Sequence, residues 1–380
     1  LTFRKAIFWT HLAAGLAAGL VVAVLASTGA ALAFEHELVD WAERDVRRVA
    51  VPAGAVRWDL EALKGRLREA EPSVRNPAVT VFRDPAAAVV FTEGRDRAWF
   101  LDPYTGEVRR PATRRMHAFM ASMTDAHRWL ALGGDFRSAG RAVTGAGNLA
   151  FLLLCLTGAV LWWPRKWTWA NLRRLALPSL APGGKARDFN WHASVGLWTA
   201  PVLTVLTVTA VPISYRWASD AVFRAAGEVP PGPSQPPLPH PGPRARPVPL
   251  DAVLALAEKE VPGWLQMGIR TGGGRPAPGE AAGPPPITVT LREAAPWPRT
   301  ATTTLAVHPA TGDLLHRTAF ADLSRGRRIR SWMRFLHTGQ ALGGWGQLVA
   351  GLACAGALLL VYTGVALSCR RFFPSRLSGA

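Results

Sequence analysis

Four stretches of the chain, Leu12–Phe34, Ala142–Trp163, His192–Tyr215 and Gly343–Ser368, run for 22 to 26 residues without a charged side chain. A helix that crosses the hydrocarbon core of a bilayer needs about 20 such residues. Within that core the backbone must satisfy its own polar groups, which leaves helices or closed barrels as the available structures. The pattern therefore predicts four transmembrane helices. The longer connections between them alternate in polarity, as soluble segments do. Three cysteines, with no CxxC and no CxxCH, exclude a disulfide scaffold, a thiolate zinc site and covalently attached haem.

The net charge of +18 invites a nucleic-acid reading, but much of it is topological. Arg4 and Lys5, the loop Pro164–Asn190 and the tail from Arg370 hold eleven basic residues against Asp188 alone. The positive-inside rule places these segments in the cytoplasm and both long connections outside. The expected organisation is a first spanning helix (1–34), a periplasmic domain (35–125), an approach helix and second span (126–163) and a cytoplasmic loop (164–190). A third span (191–215), a second periplasmic domain (216–330) and a fourth span with its tail (331–380) follow. The expected setting is a membrane, with lipid as a partner and no nucleic acid.

The chain also repeats itself once. His11 is followed by Gly15 and, 17 residues on, by Thr28-Gly29; His192 is followed by Gly196 and, 17 residues on, by Thr209-Ala210. His127 and His337 each precede an Ala-Leu-Gly-Gly step and an apolar run holding Thr157-Gly158 or Thr363-Gly364. Outside the spans, Leu101–Val108 matches Val307–Leu314 as a hairpin turn. Leu60–Ala70 matches Leu250–Val261 as an amphipathic helix, and Ala78–Phe82, Val89–Thr92 and Ile287–Leu291 read as strands. Two Pro- and Gly-rich stretches, Pro230–Pro249 and Gly272–Pro286, read as mobile insertions. The expected fold is a bundle of four transmembrane helices in two parallel repeats, with two periplasmic α+β domains. Repeats of this kind place functional sites at their interface.

Ionisable residues at membrane spans are functional candidates. The topology puts His11 and His192 at the cytoplasmic ends of two spans, and His127 and His337 at the outward ends of the other two. Two imidazoles on an apolar axis, with no Cys or carboxylate beside them, fall short of a zinc site and of a di-iron carboxylate site. They suit haem b, which needs only axial ligands and a flat apolar slot. Gly15 and Gly196 are placed to let a porphyrin approach near the inner pair. Gly158 and Gly364 are expected at that same level, and Gly29 at the level of the outer pair. Arg128 and Arg334, beside the outer histidines, are candidates to hold haem propionates.

Thr10-His11-Leu12-Ala13-Ala14-Gly15, the Thr-Gly steps, Trp162-Trp163-Pro164-Arg165 and the two Asp-Pro-x-Thr-Gly-Glu-type hairpins resemble the PepSY-associated transmembrane family, often labelled iron-regulated membrane proteins. The resemblance covers nearly the whole chain. It implies two haems b ligated by His11, His192, His127 and His337, PepSY domains in the periplasm, and an inner-membrane b-type dihaem reductase of ferric siderophores. The electron donor would be a quinol or a cytoplasmic flavoprotein. The chain departs from the pattern at Ala210, which stands where the other steps have glycine, and in its long insertions. Two other readings stay open: a membrane-anchored PepSY module that binds or regulates a periplasmic partner without catalysis, and a haem or metal transporter.

Overall fold

A computed structural model describes residues 2–94, 97–111, 115–164, 166–180, 183–232, 247–272 and 286–373. The chain divides into two units. The helical unit takes Leu1–Glu35, Ala118–Pro230 and Arg325–Ala380; the other takes His36–His117 and Pro231–Ser324. Most of both Pro- and Gly-rich stretches lies outside the described residues.

In the helical unit, Phe3–Leu32, Gly134–Trp162, Gly184–Ser214 and Gly344–Phe372 are long and apolar enough to cross a membrane. Each packs on two of the others, so they close a ring in which the first touches the second and fourth. Close approach falls at glycine, as helix packing in lipid favours. A side chain at Gly147 would collide with Val21, and one at Gly356 with Thr199. The helices outrun the chargeless runs. The first begins at Phe3, ahead of Arg4 and Lys5, and the third at Gly184, ahead of Lys185, Arg187 and Asp188. The chargeless window marks the hydrocarbon core, whereas hydrogen bonding carries a helix on into the headgroup layer. Arg4 closes one exposed helix end, donating to the carbonyls of Leu161 (2.5 Å) and Trp163 (3.1 Å) at the end of the second span.

His11 and His192 consequently lie two turns inside their helices rather than at the ends. His127 and His337 lie on separate approach helices, Arg115–Trp129 and Arg325–His337, not on the spans. Each approach helix stops just after its histidine, and the chain turns before the next span begins. In the first half the turn uses Leu130 and Ala131 at φ 52° and 58°; in the second it uses Gly339 and Gly343 at φ 74° and 65°. The left-handed region costs an ordinary residue about 1–2 kcal/mol, so the first turn is the more strained.

Among the described residues, the second unit holds one antiparallel sheet of eight strands in the order β4-β3-β2-β1-β5-β6-β7-β8. The strands are β1 (Ala78–Phe82), β2 (Val89–Glu93), β3 (Arg97–Leu101), β4 (Val108–Arg109), β5 (Trp264–Arg270), β6 (Ile287–Glu293), β7 (Thr303–Val307) and β8 (Leu314–Thr318). The two expected α+β modules therefore meet edge to edge. Val79 pairs with Ile269 and Val81 with Met267 across the β1–β5 seam. Alternate residues along β1, β6 and β7 face inward, as a half-buried pleat requires, whereas β2 and β3 are covered on both faces, with Val90 and Phe100 in a second, smaller cluster. The inward residues of the sheet include Val79, Phe91, Met267, Val289 and Leu305. They pack with Leu60, Leu63, Leu67, Val253 and Ala257 from the helices Leu60–Ala70 and Leu250–Glu260 into one core.

The halves cap each other. Asp251, on the second helix, accepts from the amides of Leu60 (2.6 Å) and Glu61 (3.1 Å), and Glu61 in return accepts from the amide of Leu250 (3.0 Å). Both carboxylates thus sit at helix N-termini, where unpaired N–H groups and the helix dipole favour negative charge. Asp251→Ala leaves two amides without an acceptor. It should lower stability by about 1–2 kcal/mol, read as a lower melting temperature of the full-length chain in detergent. The two expected hairpins also form, and their turns match: Asp102 Oδ1 accepts from the amides of Tyr104 and Thr105, and His308 Nδ1 from those of Ala310 and Thr311.

Candidate functional site

The helical unit brings the four repeat-matched histidines together two by two. The His11 and His192 rings lie 6.3 Å apart, centre to centre, with planes crossing at 86°. The His127 and His337 rings lie 6.2 Å apart at 51°. Thr28, which touches His127, is 17 residues from His11 on one continuous helix. The two pairs are therefore separated by about 25 Å along that helix, close to the depth of the hydrocarbon core.

Every Nδ1 is engaged. His11 Nδ1 meets Thr157 Oγ1 at 2.8 Å, His192 Nδ1 meets Thr363 Oγ1 at 2.9 Å, and His127 Nδ1 meets Thr28 Oγ1 at 2.8 Å. Each of these hydroxyls donates its own proton to a carbonyl one turn back: Thr157 to Leu153, Thr363 to Leu359 and Thr28 to Val24. The hydroxyl oxygen is then an acceptor for the ring, so Nδ1 carries the hydrogen. His337 Nδ1 faces the Leu206 carbonyl at 2.9 Å, which can only accept. All four rings are thereby held in the tautomer that leaves the Nε2 lone pair for a ligand. A hydrogen bond at one ring nitrogen sets the chemistry of the other in this way.

The glycine of each Thr-Gly step lets the imidazole lie flat against the helix. A β-carbon at Gly158 would stand 3.4 Å from His11 Cε1, one at Gly29 3.4 Å from His127 Cε1, and one at Gly364 3.6 Å from His192 Cε1. The steps thus lie at the depths expected of them, against the rings themselves. Gly15 and Gly196, one turn after His11 and His192, look instead toward Leu154 and Leu360, each at 3.7 Å. Ala210 occupies the fourth step, and there the ring bonds to a backbone carbonyl rather than to the Thr209 hydroxyl, which donates to Val205.

Arg128 is exposed and stacks on Trp129 at 4.8 Å; Arg334 is exposed as well. His117 belongs to the sheet unit, where its Nε2 meets buried Glu43 at 2.5 Å. Two features escaped the sequence reading. The threonine hydroxyls were visible only as part of a repeated Thr-Gly step, and the step's recurrence opposite each histidine was the signal. Asp188 was visible as the lone acid among basic residues. It is fully buried one turn before His192, paired to Arg187 (3.0 Å) and to Arg370 of the fourth span (3.2 Å), and so ties two spans together beneath the inner pair.

Four apolar helices in a closed ring, carried on a chain with a separate antiparallel sheet unit, define a multi-pass membrane protein. The chain belongs to the PepSY-associated TM region family, whose model matches residues 8–371. No curated protein matches it.

Proposed function

We propose that the helical unit is a b-type dihaem electron carrier, with one haem held by His11 and His192 and the other by His127 and His337. The observation that carries this reading is the spacing of the rings. A ligating imidazole nitrogen lies about 2.0 Å from its metal and about 1.2 Å from its own ring centre, so two rings that share one iron would have centres about 6.4 Å apart. The measured separations are 6.3 and 6.2 Å. Among the described residues, no group of three or more His, Cys, Asp or Glu side chains comes together. A pair of imidazoles suits an iron whose remaining ligands come from a macrocycle.

When bound, the two haems would supply one-electron transfer between the cytoplasmic and periplasmic faces, to an acceptor such as Fe(III) in a siderophore for iron uptake. The chain's own part is to fix the rings. Thr157, Thr363, Thr28 and the Leu206 carbonyl hold each Nδ1–H, which orients the ring and makes Nε2 a better donor. Gly158, Gly29 and Gly364 let the rings seat against the helices. Asp188 holds the third and fourth spans in register beside the inner pair. No side chain has to act as acid, base or nucleophile, because the potential is set by ligands, hydrogen bonds and burial. Reduction would release iron from an oxygen-donor chelate because Fe(II) is bound more weakly than Fe(III).

The test is the visible spectrum of the full-length chain purified in detergent. Two haem equivalents per chain, reducible by dithionite and reoxidised by a ferric chelate, are expected. A chain that remains haem-free when produced with haem in excess overturns the reading.

A further inference from the structure

The helix Arg325–His337 carries five arginines, and four of them, Arg325, Arg327, Arg328 and Arg334, are exposed. Arg330 is not. Its Nη1 is sealed from solvent and has no hydrogen-bond partner among the described residues. A guanidinium keeps its charge and presents five donors in a fixed fork. Burial pushes Arg330 below its ordinary value, with no carboxylate to offset it. Arg330 is half-buried, and a donor nitrogen sealed from water without an acceptor costs about 1–3 kcal/mol.

Its position names what would relieve it. Arg330 precedes His337 by two helical turns, so the two side chains leave the same face of the helix, about 10 Å apart along its axis. The matching place in the first half, two turns before His127, holds Met120, which is buried and apolar. The sealed guanidinium nitrogen therefore stands beside His337 and has no counterpart beside His127.

We propose that Arg330 is a carboxylate-binding residue that receives a propionate of the tetrapyrrole held between His127 and His337; this rests on the function proposed above. The guanidinium fork matches a carboxylate in two parallel hydrogen bonds. Met120, at the matching place beside His127, is buried and offers no donor to an anion. Arg334, one turn nearer the histidine, is exposed.

The experiment compares haem with its dimethyl ester, in which both propionates are blocked. Each is titrated into the full-length chain produced without haem. The two sites are followed separately through their low-spin ferric EPR signals, which differ because the ring planes cross at 86° in one pair and 51° in the other. The outer site should bind the ester on the order of tenfold to a hundredfold more weakly than haem. In Arg330→Met, which places the first half's residue in the second, that preference should collapse while the inner site stays as in the native chain. Arg330→Lys, which keeps the charge, should restore part of it and guards against a folding defect in the methionine variant. An outer site that binds haem and ester alike in the native chain, or Arg330→Met with its preference intact, overturns the role of Arg330 alone. The latter outcome would leave the guanidinium to a lipid phosphate. Failure of both pairs to bind either compound overturns the haem reading itself.

Discussion

Alanine in place of His192 should remove one haem equivalent and leave the other, and alanine in place of His337 should do the same at the opposite end of the bundle. The expectation follows from the separation of the pairs. His192 shares its site with His11 and bonds to Thr363; His337 shares its site with His127 and bonds to the Leu206 carbonyl. No residue is common to the two sites, and about 25 Å of helix lies between them. Sites this far apart respond independently to substitution. The haem-to-protein ratio should fall from two to one in each single variant and to zero in the double variant. The α band should halve in each single variant. Dithionite, which enters from solvent, should still reduce the remaining haem, whereas delivery of electrons from one face to an acceptor at the other should drop to background in both. A single variant that loses both haems, or neither, would show that the pairs are not separate sites.

Alanine at Gly140 should weaken the outer site although Gly140 touches neither histidine. A methyl group there would strike the carbonyl oxygen of Trp129, two residues after His127. Gly346 stands in the same relation to Gly339, two residues after His337. In both halves a glycine early in the span lets the turn that ends the approach helix fold back over it. The obstacle is backbone, which cannot rotate aside, so the turn must move and carry the histidine with it. Overpacking of this kind costs about 1–3 kcal/mol, and a ligand displaced by an ångström costs more in binding. Haem affinity at the outer site should fall at least about tenfold in Gly140→Ala and in Gly346→Ala, with the inner site unchanged. Gly133→Ala is the control: a β-carbon there meets nothing within 4 Å. The haem-to-protein ratio after dilution and the EPR signals of the two sites check all three variants.

The parts of this architecture that were legible are those fixed by a strong local demand or by repetition. The hydrocarbon core tolerates no charge, so the four spans could be read directly. The hairpins Leu101–Val108 and Val307–Leu314 and the helices Leu60–Ala70 and Leu250–Glu260 carry turn and face signals of their own. The histidines could be paired because the second half restates the first. Other features depend on neighbours distant in the chain. Leu130 and Ala131 carry no turn signal, so the break that takes His127 off the second span was not visible. Thr157 accepts from His11 only because two helices rotate those faces together. Nothing near Val79 or Ile269 marks them as partners, since both are ordinary apolar strand residues and 190 positions separate them.

The β1–β5 seam bears on how the protein is made. A ribosome completes the first half, with its strands and its helix Leu60–Ala70, long before β5 or Asp251 emerges. During that interval β1 presents a bare edge, the kind of surface on which other chains assemble, and the helix lacks its acidic cap. Biogenesis therefore includes a vulnerable wait, and it ends only when the second half has been inserted and its strands delivered to the same compartment. Two insertion events are thus joined into one quality check, because a molecule whose later spans enter the wrong way round can never complete its sheet.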